Sequence, residues 1–381
     1  MREPVLLIGM LNSVHFANWL ERIQFIDRDI YLFASRQYRN LHPKISHIVS
    51  KNPRVKIVNL FPILGVSVYL EFLLDTRWFK WLEYFSRKRR LERLLRKYMF
   101  TKIHALEIQH AGYLLNEALP TDRSFDNVIV TNWGSDIYFY GQFPEHAVRI
   151  RECLKMANYY SAECIRDYQL AQNFGFTGIN LPVVPNSTTF SKEHFSQTFT
   201  SSSQRNQIIM KCYGSTFGYG EMLLQLADET LGLYPDINIY AYSVTEELIA
   251  VAEGIKKRHP ERFRFTSVRL PILHKTMLEE FSRSRIYIGA SKSDGVSTSF
   301  LEALATGVFP IQTSTSCAGE WVESGARAGI VQPKKAAIEE KLQQVLYDFE
   351  TLREAQEKNL ELARERLSFA TISKITCEFY S

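Results

Sequence analysis

Between residues 291 and 313 the chain reads Ser-Lys-Ser-Asp-Gly-Val-Ser-Thr-Ser-Phe-Leu-Glu-Ala-Leu-Ala-Thr-Gly-Val-Phe-Pro-Ile-Gln-Thr. This spells a short polar loop, a helix, a glycine stop and a following strand. Asp294 stands in the loop, and Gly295, Ser297, Thr298 and Ser299 lead into a helix expected over Phe300–Ala305. The first amides of a helix have no intrahelical acceptor, and small residues leave room among them for an anion such as a diphosphate. Glu302, about one turn inside, is placed to accept hydrogen bonds from the vicinal hydroxyls of a ribose whose phosphates rest at the helix start. Ser299-Phe-Leu-Glu302 is also a Ser-x-x-Glu capping box, which would tie Glu302 to helix stability instead.

Three other places carry chemistry. Val128-Ile-Val-Thr-Asn-Trp-Gly-Ser-Asp136 closes a strand with Trp133, able to stack on a sugar face, and Asp136. Asp136 suits either sugar hydroxyls or the N-cap of the next helix. Lys211 ends another strand just before Gly214; its ammonium would act as a point charge beside phosphate or lie on the surface as an ordinary lysine. His15 follows the first strand, in Gly9-Met-Leu-Asn-Ser-Val-His15. No Asp-x-Asp follows a strand and no His/Asp cluster has ligand spacing, so the expectation is a chemistry without metal or other cofactor.

The elements that must position these residues are short β-branched or aromatic runs alternating with helical segments. Strands are expected at Val5–Gly9, Ile30–Ala34, Val55–Leu60, His104–Ile108, Val128–Thr131 and near Leu181–Val184. In the second half they are expected at Gln207–Cys212, Ile237–Tyr242, Phe263–Thr266, Arg285–Gly289, Val308–Gln312 and Gly329–Val331. Such alternation implies βα units and parallel sheets. The strands are more than one open sheet holds comfortably. The expected fold is therefore α/β, with two doubly wound, Rossmann-like domains facing a cleft. Residues 1–185 would form the first, a Ser/Thr-rich linker 186–205 the join, 206–360 the second, and 361–381 a closing helix that packs back towards the first. Ligands of open α/β sheets bind outside the carboxyl ends of the strands, where all four groups of residues fall.

Composition excludes several classes. Hydrophobic residues are 45% and charged residues 23% of the 381, a globular balance. The apolar stretch from Leu60 to Leu74 is broken by Pro62, Gly65 and Glu71 and is too short to span a bilayer. The opening run Val5–Ile8 is too short for a secretory segment, so a cytoplasmic protein is expected. Five scattered cysteines without a C-x-x-C pair argue against a disulfide framework or a zinc site. A net charge of +5 suits an anionic partner without choosing one.

The stretch from Asp294 to Pro310 resembles the acidic-x7-Glu motif of the retaining GT-B glycosyltransferases of family 4, with Asp294, Gly295, Glu302, Ala303, Gly307 and Pro310 on the pattern and Asp in place of the first Glu. The resemblance implies a GT-B fold and sugar transfer from a nucleoside-diphosphate sugar, with a UDP-sugar expected, to an acceptor hydroxyl. It implies that Asp294 contacts the donor sugar, Glu302 the ribose, and Gly295–Ser299 the phosphate. Asn132-Trp133-Gly-Ser-Asp136 resembles the family's His-Gly-Ser-Asp, with Trp133 where the histidine stands; no proton-transfer role passes to it. The Lys211–Gly220 segment matches the loop that supplies the family's basic pair, but Tyr219 falls where the second cation is expected. His15 lies in the loop that the family places over the reaction centre. Ala162–Asp167 and Thr313–Glu320 are similar to further family loops.

Residues 77 to 98 combine an aromatic and aliphatic stripe (Trp78, Trp81, Leu82, Phe85, Leu91, Leu94, Leu95, Tyr98) with many Lys and Arg. That is the profile of a helix in an anionic membrane interface, and it points to a lipid-linked or cell-surface glycan acceptor and a peripheral location on the inner membrane face. The alternative is a helix whose apolar side faces its own sheet. Two rival functions remain, a nucleotide-sugar epimerase of the same shape and a catalytically silent nucleotide-sugar-binding subunit. A nucleic-acid partner is not expected, because no recognition motif accompanies the charge.

Overall fold

The computed structural model describes residues 4–381 apart from 37, 39, 59–76, 215 and 271, with the side chains of the helix Arg77–Lys97 described from residue 83 onward. The apolar stretch 60–74 and the side chains of Trp78, Trp81 and Leu82 therefore lie outside the described residues.

Two compact units divide the chain: Met1–Ser187 with Ile372–Ser381, and Thr188–Thr371. The first is built on a seven-stranded sheet of β1 (Val5–Gly9), β2 (Ile30–Ala34), β3 (Val55–Ile57), β4 (Lys102–Leu106), β5 (Val128–Thr131), β6 (Tyr159–Ser161) and β7 (Ile179–Asn180), in the order β3-β2-β1-β4-β5-β6-β7. The second has β8 (Gln207–Lys211), β9 (Asn238–Val244), β10 (Phe263–Ser267), β11 (Ser284–Gly289), β12 (Phe309–Thr313) and β13 (Gly329–Val331), in the order β10-β9-β8-β11-β12-β13. All pairings between these strands are parallel. Each sheet is thus doubly wound, with its order reversing beside its first strand.

Burial on both faces explains the unbroken apolar spelling of the central strands. In β1 every residue is buried: Val5 and Leu7 pack with Phe16, Trp19 and Leu20 of the helix Val14–Ile23, while Leu6 and Ile8 pack with Leu91, Leu95 and Leu114 on the opposite face. In the second unit Ile208, Met210, Ile286 and Ile288 share a core with Leu223, Leu224 and Ala227 of the helix Gly220–Leu233.

Differences from the expected strands have local causes. β4 stops at Leu106 rather than Ile108, because Glu107 takes φ 90° and starts a π-helix over Ile108–Gly112. The expected strand at Leu181–Val184 is absent. The sheet is extended instead by the three-residue β6 and two-residue β7, which are too short for periodicity to show. The Ser/Thr-rich stretch after Thr188 counts with the second unit, and it is held there by polar groups. Ser191 caps the helix Lys192–Phe195, His194 bonds the Ala305 carbonyl at 2.7 Å, and the buried Arg205 guanidinium donates to the carbonyls of Ser284 and Thr306. The chain ends in the first unit, where Phe379 and Tyr380 are buried with Trp19.

Leu91 and Leu95 of the helix Arg77–Lys97 are buried in the first unit. Arg87 donates to the Ser35 carbonyl and pairs with Glu83, and Arg96 pairs with Asp122 at 2.8 Å. Leu91, Leu94, Leu95 and Tyr98 of the apolar stripe thus pack into the core of the first unit, whereas Phe85 is exposed, and part of the basic face is ion-paired within the fold. Among the described residues no helix is long and apolar enough to cross a membrane.

Candidate functional site

In the second unit the loop after β11 enters the helix Thr298–Ala305, two residues earlier than the sequence indicates. Its N-cap is Ser297, whose side chain makes no capping bond. Ser299 and Glu302 therefore lie inside the helix, and the alternative capping box does not form: with the helix begun at Thr298, Ser299 is past the cap position. The Glu302 carboxylate instead meets His274, the first residue of the helix His274–Arg283, with Nε2 2.7 Å from Oε1. Glu302 is buried, while the His274 side chain is 58% exposed.

The loop from Ser291 to Ser297 is pinned from three sides. The Cys317 amide donates to the Gly295 carbonyl at 2.7 Å, and the Lys292 amide donates to the Phe217 carbonyl at 2.7 Å. The Ser291 amide donates to Thr313 Oγ1 at 3.1 Å, and the Thr315 hydroxyl bonds the Ser291 carbonyl. The β8 exit, the β11 exit and the β12 exit are thereby fastened together at the carboxyl edge of the sheet. Gly218 lets the β8 loop fold tightly, since a β-carbon there would collide with the Tyr213 carbonyl. Gly214 gives its amide to Thr245 Oγ1 at 3.0 Å.

Cations flank this loop. Lys211 Nζ lies 4.9 Å from the centre of the Tyr213 ring, and Lys292 Nζ lies 5.7 Å from the centre of the Tyr219 ring. Tyr219 marks the position where the sequence lacks the expected second cation, and the structure brings Lys292 there from the β11 loop. Burial, and then the Asp294 charge, hold the Tyr213 hydroxyl well above the ordinary tyrosine range. The second unit thus assembles Asp294, Gly295, Ser297, Thr298, Ser299, Glu302, Lys211 and Gly214 at the end of β8 and β11. Uncapped helix amides, two lysines and a buried carboxylate can bind a phosphate-bearing ligand that also carries hydroxyls.

In the first unit the exits of β1 and β5 bring His15 and Trp133 together, ring centres 5.2 Å apart at 55°. Ser13 accepts from the His15 amide at 3.1 Å and so caps the helix that carries His15. Asp136 does not cap its helix; Gly134 holds the N-cap with φ 33°. The Asp136 Oδ2 instead accepts from the amides of Trp133 and Ile108, both at 2.9 Å, which staples the β5 loop to the π-helix after β4. Glu107, whose carboxylate accepts from the amides of His110 at 2.9 Å and Ala111 at 2.5 Å, lies in the same cluster. Burial, and then the neighbouring Asp136, push the Glu107 carboxyl up to about 8; burial, with Asp167 nearby, pushes Asp136 up to about 7. Asp167 is itself buried and bonded by Arg166 at 2.9 Å and Asn132 at 2.6 Å.

Glu107, His274 and Lys292 escape the sequence reading. The signal for Glu107 is faint, one acid closing an otherwise apolar strand. His274 and Lys292 have no motif of their own; only their neighbours in space single them out.

No family model matches the chain, and no curated protein matches it in sequence. Its structure is similar to that of the sucrose-phosphate synthase from Thermosynechococcus elongatus, at 11% identity and a TM-score of 0.70, covering 100% of this chain and 98% of that one. It is similar to HepE of Anabaena in complex with UDP and glucose, at 12% identity and a TM-score of 0.69, covering 99% and 98%. It is also similar to the α,α-trehalose 6-phosphate synthase of Burkholderia multivorans, at 9% identity and a TM-score of 0.68, covering 100% and 98%. At such identities the likeness establishes a shared fold.

Proposed function

We propose that this chain, whose two doubly wound domains have the GT-B architecture, is a glycosyltransferase that uses a nucleoside-diphosphate sugar. The observation that carries the reading is the second-unit site. There an uncapped helix start at Ser297 and Thr298, Lys211 and Lys292, and the buried Glu302 belong to the end of β8 and to the segment that follows β11, at the edge where a doubly wound sheet binds ligand. A UDP-sugar is the expected donor. HepE was solved with UDP and glucose and also with UDP-glucose, which supports that choice.

In this reading the helix amides and the two lysines stabilise the departing diphosphate, an electrostatic task carried out by groups already in place. Asp294 contacts the sugar and Glu302 accepts from the ribose hydroxyls. His15, Trp133 and Asp136 serve the sugar or the acceptor from the first unit, with Trp133 offering a stacking face. Because lysines and amides take the charge, no divalent metal is assigned to the donor. Retention at the anomeric carbon follows the family 4 resemblance, in which no side chain acts as a covalent nucleophile. The acceptor is a hydroxyl of a lipid-linked or cell-surface glycan, presented beside an anionic membrane by the basic helix Arg77–Lys97.

The test is release of nucleoside diphosphate from a panel of UDP-, GDP- and ADP-sugars in EDTA. One donor should be turned over, and Glu302→Ala should lower kcat/KM at least tenfold. If no donor is turned over and none of the three diphosphates binds in calorimetry, the transferase reading fails.

A further inference from the structure

Glu302 is buried, keeping 5% of its exposure. A carboxylate offers about four acceptor positions, and buried charge is costly unless hydrogen bonds fill them. Here one bond is made, from His274 Nε2 to Oε1 at 2.7 Å. The Thr306 hydroxyl bonds the Glu302 main-chain carbonyl and not the carboxylate. Among the described residues no lysine or arginine pairs with Glu302. The hydroxyls of the buried Tyr242 and Tyr287 make no hydrogen bond to the carboxylate. A carboxylate on a buried residue, held at one oxygen by a single bond among the described residues, marks a place suited to a hydroxyl-bearing ligand.

His274 is an unusual partner for it. Its side chain is mostly exposed, and it reaches across from the first turn of a different helix, 28 residues earlier in the chain. Holding an exposed ring in one geometry costs side-chain entropy, which a surface pair rarely recovers. Here the bond fixes one oxygen of the carboxylate, which sets the plane and direction of the other.

We propose that His274 is a positioning residue for the nucleotide: its Nε2–H holds Glu302 Oε1 so that Oε2 is presented to the 2′- and 3′-hydroxyls of a ribose. The inference rests on the nucleotide-sugar reading of this site. Its chemical consequence is discrimination between ribose and 2′-deoxyribose. A carboxylate held at one oxygen binds the diol in a single geometry, whereas an unheld carboxylate rotates and loses the second bond.

The experiment is calorimetric binding of UDP, GDP and ADP and of their 2′-deoxy counterparts to the wild type, Glu302→Ala, His274→Ala and His274→Gln, with melting temperatures measured on the same samples. The wild type should prefer the ribonucleotide of one base about tenfold, and Glu302→Ala should abolish that preference. His274→Ala should also abolish it with its melting temperature little changed, and His274→Gln, which keeps an N–H donor, should restore it in part. Should His274→Ala fail to fold, His274→Phe keeps the ring volume without the donor and decides the same question. Wild-type discrimination in His274→Ala or His274→Phe overturns the proposal, while loss of binding in Glu302→Ala would leave the site reading standing. Failure of the wild type to bind any of the six nucleotides overturns both.

Discussion

Glu107 is the residue at which backbone and charge meet most sharply. A non-glycine residue at φ 90° is strained by about 1–3 kcal/mol, and such strain gathers where a site must be shaped. Part of the compensation is visible in the amides of His110 and Ala111 that converge on its carboxylate. Its titration leads to a prediction. Burial and Asp136 raise Glu107 to about 8, and burial with Asp167 raises Asp136 to about 7; in an unfolded chain both titrate near 4. Between about pH 4 and 8 the native state therefore holds more protons, so this stabilisation is fully present below about pH 4 and is lost progressively as the pH rises from there to about 8. His104 works in the opposite direction. Buried between Tyr380 and Thr131, it is pushed down to about 3, so its contribution is lost as the pH falls below about 6.5. In urea unfolding from about pH 4.5 to 8.5, Glu107→Gln should lose less stability than the wild type as the pH rises. An alkaline slope identical in Glu107→Gln would remove this account. The candidate residues Asp294, Gly295, Ser297–Ser299 and Glu302 could be grouped from the sequence because one loop and one helix carry them all. His274 could not, since its relation to Glu302 exists only after two helices have packed.

At the scale of elements, the helix Thr298–Ala305 is defined more by its end than by its start. Gly307, at φ 66°, lets the Val308 amide reach the Ala303 carbonyl at 2.9 Å and so closes the last turn. A β-carbon at 307 would press on Gln356 and Leu360 of the helix Phe349–Arg366. Gly307→Ala should destabilise the protein by about 1–3 kcal/mol, read as a lower urea midpoint; an unchanged midpoint would contradict the left-handed backbone at 307. The helix Arg77–Lys97 shows where periodicity misleads. An amphipathic stripe looks the same whether it meets lipid or its own sheet, and Leu91 and Leu95 meet the sheet. Charge removal at the half-buried Arg87 would disturb the fold, so the membrane proposal is tested at the exposed Arg89 and Arg93. Replacing both with Gln should reduce co-sedimentation with anionic vesicles several-fold, and unchanged co-sedimentation would remove the membrane from the proposed function.

At the scale of the whole molecule, the chain begins and ends in the same unit. Tyr380 fixes this return: its hydroxyl accepts from Trp19 Nε1 at 2.7 Å and bonds His104 Nδ1 at 2.6 Å, and His104 Nε2 in turn meets Thr131 Oγ1 at 2.6 Å. Helix, two strands and C-terminus share one buried polar chain. Tyr380→Phe should cost about 1–3 kcal/mol by leaving the Trp19 and His104 nitrogens without their partner, seen as a lower melting temperature with nucleotide affinity retained.

The amino-acid sequence by itself determined the class of fold. Apolar strand runs alternating with helical segments require parallel sheets covered on both faces, and β1, β2, β5 and β13 stand where those runs lie. It also determined the loop-helix unit from Asp294 to Glu302, because the helix start and the nearby acid are local in the chain. Tertiary structure alone decided that Glu302 faces His274 rather than the helix cap, that Lys292 lies over Tyr219, and that Glu107 closes β4 in a strained turn against Asp136. These pairings join segments separated along the chain. Their energies arise from burial and hydrogen bonding after packing, and no spacing or periodicity in the sequence encodes them.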